Sequence, residues 1–573
     1  MSIHENQDGR DRLPANISPY WTRAHSYLFL ALATLACLLP FSGKAFHIDD
    51  PIFVWTAQQI AHHPLNPYGF RLVWYVTDMP MSAITKNPPL SSYYGALVGV
   101  VAGWSERAWH LGFLLPALAV VLGTYRLAER FTASPMIAAP MIAPPMIAAA
   151  ATLFAPGFLV SATGVMCDVM MLALWVWAVI FWMRGMDSGK VLDFAVSSVL
   201  IAACALTKYF GASLILLLPA YSLLKQRRVG AWVWYLLIPV AGFVGYQLWT
   251  KALYGRGLLW DAAQYARSSE HVDQASRLTS GVVGLSFLGG CALPILLFSP
   301  FFWNRRQLIL GSLAAALAGL AVGRHWVLPL IHDPRQHWTW VGVQFAFYVV
   351  GGIFVLGLVV ADYKRRRDAD SALFALWVLG TFLFAAFLNW TVNARSLLPL
   401  IPAAAILLAR RLDEEKRVVS TWRSSMKLVV PLVLSAVISF SIAWGDMAFA
   451  NSGRSVATHR QIQDQAGSVL FEGHWGFQYY MQLFGARPVE YDKFTFQTGD
   501  VVVIPENTTS TFPIAPQFVA GQQTLQIDPH AYAATMGLGA GFYSSVWGPL
   551  PFSFGRVPSE SYLVVRLHQP VEK

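Results

Sequence analysis

The chain has 573 residues, 55% of them hydrophobic and 13% charged, with 22 Trp and 36 Phe. Soluble domains carry about 25% charged residues, so this composition excludes an ordinary soluble enzyme, and its apolar content excludes disorder. The formal charge of +10 lies before residue 447: 34 basic and 22 acidic residues precede that point, against 7 and 9 after it, a split that points to membrane topology and not to nucleic acid.

Charge-free stretches of roughly the length a bilayer core requires recur along the chain. They lie near 26–43, 108–125, 135–160, 166–183, 191–207, 209–224, 231–250, 281–302, 306–330, 340–361, 371–391, 394–410 and 426–446, thirteen in all. The first follows Arg23 and His25 without a small-residue cleavage site and reads as a retained anchor. Ser91–Gly103 is too short to span and reads as an interfacial or buried helix. Inside the third stretch, Pro-Met-Ile-Ala recurs at 135, 140 and 145; its prolines kink the helix, and the repeat reads as a replication-slippage duplication in a tolerant helix, with a hinge the lesser alternative.

With Ser91–Gly103 off the count, the loops holding Arg126/Arg130, Arg184/Lys190, Lys225/Arg227/Arg228, Arg305/Arg306, Lys364–Arg367 and Arg410–Lys427 share the side of the N-terminus. That side holds 22 basic residues against 12 opposite, within residues 1–446. The positive-inside rule then places segment 1–25 in the cytoplasm, and the 44–107 loop, the 251–280 loop and the tail 447–573 outside. In the tail, Asp500–Pro505 and Ser561–Arg566 read as strands and Trp475–Phe484 as a helix. The expected fold is therefore a polytopic α-helical membrane protein of about thirteen transmembrane helices, 26–446, with a small C-terminal α/β domain outside. Cys37, Cys167, Cys204 and Cys291 lack the spacing of a disulfide framework or a zinc site.

A charge within or at the mouth of a span costs roughly 2.5–3.5 kcal/mol on insertion scales, so each one asks for a reason. After the first span stands Phe46-His47-Ile48-Asp49-Asp50-Pro51, leading into a short helix with Phe53, Val54, Ala57 and Ile60 on one face. The adjacent carboxylates either cap that helix or do chemistry at its entrance. Further on, Thr85-Lys86-Asn87-Pro88-Pro89-Leu90 makes a rigid bend before Tyr93 and Tyr94, with Lys86 either an interface anchor or a ligand for an anion. Asp168 opens the fourth stretch at its outer end, and Lys208 and Arg395 lie outside, against the positive-inside trend. Together these residues outline a membrane-level pocket whose cations suit a lipid-linked phosphate. His62/His63 and His332/Asp333/His337 read as interfacial histidines, with metal binding the lesser alternative. Asp49, Asp50 and Asp168 could hold a divalent ion if they converge in space.

The ordered set of an acidic pair, Lys86-x-Pro-Pro-Leu90, Asp168, Leu206-Thr-Lys208 and Arg395-x-Leu-Leu-Pro399 resembles the GT-C integral-membrane glycosyltransferases, over most of residues 20–411. The branch is that of protein O-mannosyltransferases and the lipid A aminoarabinose transferase. Asp50 stands where that family has glutamate, Tyr209 where glycine is usual, and Ser396 where tyrosine is common. The resemblance implies sugar transfer from a polyprenyl (undecaprenyl) phosphate to a glycan, lipid or protein hydroxyl on the periplasmic face of a bacterial inner membrane. It implies Asp49 as catalytic residue with Asp50 beside it, Lys86 on the donor phosphate, and Asp168 and Lys208 as further polar pocket residues. Arg395, Arg256 and Arg267 are supporting cations on the residue reading, and His47, Tyr93 and Tyr94 are expected near the pocket. The alternatives are a transporter or flippase of lipid-linked sugars, or a glycan polymerase or ligase.

Overall fold

A computed structural model describes residues 22–132, 143–267, 277–324, 337–414 and 422–572, apart from 466, 492, 494, 510, 569 and 570. Each of the thirteen apolar stretches carries helix. Eight helices are long and apolar enough to cross a membrane, and two further pairs pass together but bend, by 57° between Pro144–Leu153 and Pro156–Ala162 and by 81° between Arg277–Cys291 and Leu293–Phe301. The three remaining stretches form shorter helices at Val191–Thr207, Leu214–Gln226 and Ile401–Glu414. The chain is a multi-pass α-helical membrane protein.

Local chemistry explains several boundaries. Ser105 caps the helix Glu106–Ala128 through its hydroxyl, and Asp368 caps Ala369–Leu383 with reciprocal bonding from Ser371. Trp338–Arg366 ends on Lys364, Arg365 and Arg366, cations that suit the negative end of a helix dipole. The third copy of Pro-Met-Ile-Ala opens the helix Pro144–Leu153, where a missing N–H costs nothing, and Pro156 opens its bent partner. The first copy and all but Ala143 of the second lie outside the described residues, as do His332 and Asp333.

The 44–107 loop folds against one end of these helices. The helix Asp50–His62 buries Phe53, Val54, Ala57 and Ile60, the face expected from spacing. It packs on the 13-residue helix Leu90–Ala102, which stays too short to span. Between them runs a hairpin, Arg71–Trp74 against Thr77–Pro80, turned by Tyr75 and Val76 with φ of 52° and 56°. That pair of positive φ values is the geometry of a tight hairpin turn, here without the glycine or asparagine that would advertise it.

The last apolar stretch does not stop at 446: its helix continues from Trp422 to Ala457 and carries the C-terminal sheet. Five strands lie in the order Arg487–Pro488, Val469–Phe471, Val501–Pro505, Glu560–Leu567, Val519–Ile527. The first three are parallel, and the last two antiparallel to their neighbours. Both strands read from sequence pair here, Tyr562 opposite Pro505 and Val564 opposite Val503, and the helix Trp475–Leu483 joins the first two strands of the sheet. The tail is more than a separate small domain, however. Its segment 533–554 returns to the membrane helices and buries Phe542, Leu550 and Phe552 in the main core. Backbone bonds from Ala394 to Phe542 (2.9 Å) and from Ser545 to Val392 (2.8 Å) fasten this strap. Its apolar side chains find their burial against the helix bundle.

Candidate active site

The segment before Asp49 is held from several sides. The Phe46 amide donates to the Tyr480 hydroxyl at 2.8 Å, and Gly476 packs so closely on Phe46 that an added Cβ would meet its carbonyl at 2.1 Å. Ile48 then adopts φ 46°, a conformation that a β-branched residue occupies only under constraint. Such strain costs on the order of 1–3 kcal/mol and persists where surrounding structure over-determines it, commonly at functional sites. The turn leads into the helix Asp50–His62 with Asp49 as the residue before it, so the two adjacent carboxylates point to different sides.

Asp50 turns inward and is fully buried. One carboxylate oxygen accepts the His47 amide (2.9 Å) and the other the Val165 amide (2.9 Å), so it pins the first loop to the turn before the helix Cys167–Ser188. Burial pushes its carboxyl up to about 6, against the pull of Lys44 and the two amides. Each of its oxygens accepts a backbone amide, so Asp50 braces the loop beside Asp49, its expected partner in the catalytic pair.

Asp49 stays open, its side chain 33% exposed, and meets Arg395 at 3.2 Å. Arg395 also reaches Asp168 (3.9 Å), which pairs with Lys208 at 2.5 Å. The result is a chain of alternating charge, Asp49–Arg395–Asp168–Lys208, drawn from the first loop and the ends of three helices. The Arg395 guanidinium lies over the ring of Tyr543, 5.7 Å from its centroid, so the C-terminal strap closes one wall.

A second group comes from the 44–107 and 251–280 loops. Lys86 donates to the Ala83 carbonyl (2.9 Å), pairs with Asp261 (3.6 Å) and lies 5.0 Å from the centre of the Tyr265 ring. Arg256 meets the same Asp261 at 3.5 Å. Burial lowers the Lys86 ammonium below its ordinary value, with Asp261 opposing the shift. Asp49 stands electrostatically close to this group as well: after burial, its charge contributes to raising the hydroxyls of Tyr75 and of Tyr265, the latter up to about 12.

Other expected residues take different places. The Tyr93 hydroxyl donates to the Pro64 carbonyl and that of Tyr94 to Gly112 (2.5 Å), so both brace the helix Leu90–Ala102 and neither joins the charge chain. His47 is buried, 3.7 Å from Asp446 and edge-on to Phe449 and Tyr543, and burial drives its imidazole down to about 3. The side chain of Arg267 lies outside the described residues. Asp49 and Asp168 are bridged by a guanidinium, and no group of three candidate metal ligands forms among the described residues, so the arrangement does not fit a resident metal.

Sequence reasoning missed the ion pair beneath the site. Lys44, one residue beyond the first apolar stretch, meets Asp446 at 2.5 Å, both fully buried, and Asp446 also accepts from Thr535 (2.6 Å) and Tyr543 (2.9 Å). The signal was present as two charges at the ends of the first and last apolar stretches.

No protein-family model matches the chain, and no curated protein does. Among solved structures, it is similar to ArnT from Cupriavidus metallidurans bound to undecaprenyl phosphate, with 14% identity and a TM-score of 0.42 over 85% of this chain and 94% of that one. The apo state of the same ArnT gives 15% identity and a TM-score of 0.42 over the same shares. Arabinosyltransferase EmbB from Mycobacterium smegmatis gives 15% identity and a TM-score of 0.34, over 90% of this chain and 48% of that one.

Proposed function

We propose that the chain is an inverting glycosyltransferase that moves a sugar from a polyprenyl (undecaprenyl) phosphate to an acceptor hydroxyl at the outer face of the membrane. The observation that carries this reading is one open carboxylate, Asp49, on a strained and braced turn, within 3.2 Å of a guanidinium that also contacts a second ion pair. The motif resemblance leads to the same reaction.

The acceptor O–H gives its proton to Asp49 as its oxygen attacks the anomeric carbon. The new C–O bond forms while the bond from that carbon to the phosphate oxygen breaks, and the electron pair leaves with the polyprenyl phosphate. That leaving group is already a stable anion, so it needs cations more than a general acid. Arg395 and Lys208 supply them on one side, Lys86 and Arg256 on the other. A phosphate that engages Arg395 also takes it from Asp49, freeing the base when the donor is in place. Attack from the face opposite the phosphate inverts the anomeric centre.

Asp49→Asn, assayed in vitro against a panel of polyprenyl phosphate sugars with and without chelator, is expected to lose at least about 100-fold in transfer. Expression and lipid binding should stay near wild type. Near-normal turnover in that variant would sink the assignment. A transporter or flippase would instead move the lipid-linked sugar across vesicles without releasing polyprenyl phosphate.

A further inference from the structure

A shallow cleft, open to solvent at its mouth and with only about 40 Å3 of space within its walls, lies between the end of the helix Trp422–Ala457 and the C-terminal sheet, apart from the Asp49 charge chain. Its position follows from topology. From Val469–Phe471 the chain passes through the helix Trp475–Leu483 to Arg487–Pro488 on one side, then crosses to Val501–Pro505 on the other, all three parallel. The cleft lies at the carboxyl ends of the strands where this order reverses, the place where open α/β sheets bind ligands.

Its lining includes His474, Trp475, Asn507, Thr508, Glu560 and Tyr562. Nδ1 of His474, a residue only 3% exposed, and Oγ1 of Thr508 are buried with no hydrogen-bond partner. A buried polar atom left unpaired costs about 1–3 kcal/mol, so two at one cleft ask for a ligand. The contact between Asn507 Nδ2 and Glu560 Oε1 is stretched to 3.5 Å, leaving both groups capacity for another partner. Trp475 is held at φ 66°, a left-handed conformation that turns a large aromatic toward this junction, beside His474 at 4.5 Å and Trp547 at 6.0 Å. Burial raises the Glu560 carboxyl to about 7 and drives the His474 imidazole down to about 3, so the histidine is neutral at ordinary pH. No lysine or arginine is among the described lining residues, and a carboxyl is, which argues against an anion.

Mixed donors and acceptors beside an aromatic ring suit a polyhydroxylated ring, which offers both functions at each hydroxyl. We infer that this cleft is a carbohydrate site whose open mouth takes a sugar ring of the acceptor, with Trp475 beside the ring and its hydroxyls reaching in to His474, Asn507, Thr508 and Glu560. The word acceptor rests on the transferase reading; sugar binding itself does not. His47, two residues before Asp49, lines the same cleft and joins it to the reaction centre.

The test is saturation-transfer NMR on the full chain in nanodiscs with a panel of methyl pyranosides and disaccharides, alongside binding and turnover of a polyprenyl phosphate sugar. At least one saccharide is expected to bind, Thr508→Val and Glu560→Gln each to weaken it on the order of tenfold, and Asp49→Asn to leave it intact. The cleft assignment is overturned if no saccharide binds, if both variants bind as wild type does, or if inorganic phosphate displaces the sugar. Donor turnover without saccharide binding would remove the cleft and leave the transferase. Saccharide binding without donor binding would do the reverse.

Discussion

Asp49 and Asp50 are chemically identical neighbours with opposite fates, because they stand as cap and first residue of a helix, where consecutive side chains point to different sides. One keeps a third of its side chain exposed beside Arg395, while the other spends both oxygens on amides. The pair was legible in sequence; the division of labour was not, because it depends on the Val165 amide, 115 residues away. Lys44 and Asp446 were missed for the same reason, being 402 residues apart and each unremarkable at the end of an apolar stretch. Lys86 was found through its Pro-Pro bend, but its partners Asp261 and Tyr265 carried no signal. Lys86→Ala removes one of the cations facing the donor side and leaves Asp49 and Arg395 in place. Its expected effect is a raised KM for the polyprenyl phosphate sugar with a smaller change in kcat, read from steady-state transfer at varied donor. Unchanged donor dependence would return Lys86 to the status of an interface anchor.

At the scale of elements, the helix Asp50–His62 matters because it fixes where the first loop meets the bundle. Its apolar face was readable from spacing, and so were the strands at 501–505 and 560–567, since periodicity reports burial on one face. The hairpin 71–80 escaped because Tyr75 and Val76 are poor turn residues by type. The extension of the last helix to Ala457 escaped because hydropathy ends where lipid contact ends, not where the helix does. The joint at Asp50 gives this element its own test. Asp50→Ala leaves the His47 and Val165 amides buried without acceptors, at about 1–3 kcal/mol each. Thermal unfolding in detergent should show a lower Tm, with Asp50→Asn, which keeps one carbonyl oxygen, falling between. Equal stability of Asp50→Ala and wild type would show that the loop is held elsewhere.

Across the whole molecule, buried titratable groups outside the membrane spans fall into two sets that oppose each other. Glu472 and Glu560 are raised to about 7 and Asp50 to about 6, all mainly by burial. Between their unfolded values and these raised ones the native state holds protons that the unfolded chain has lost, so their contribution to stability grows as pH falls from about 7. His47 and His474 are lowered to about 3 by the same cause. Below their unfolded value near 6.5 the unfolded chain takes protons that the native state refuses, so their contribution falls as pH drops. The three carboxyls begin to act at higher pH and outweigh the two histidines, so the wild-type Tm should rise modestly as pH falls from about 8 to 5. Replacing Glu472 and Glu560 together by Gln removes most of the first set and keeps the second. That double variant should lose Tm steadily as pH is lowered from 7 to 5, measured by scanning fluorimetry in one detergent and buffer series at constant ionic strength. A profile that follows the wild type's would mean that these carboxyls ionise normally in the folded protein, and the buried character assigned to the cleft around Glu560 would fall with it.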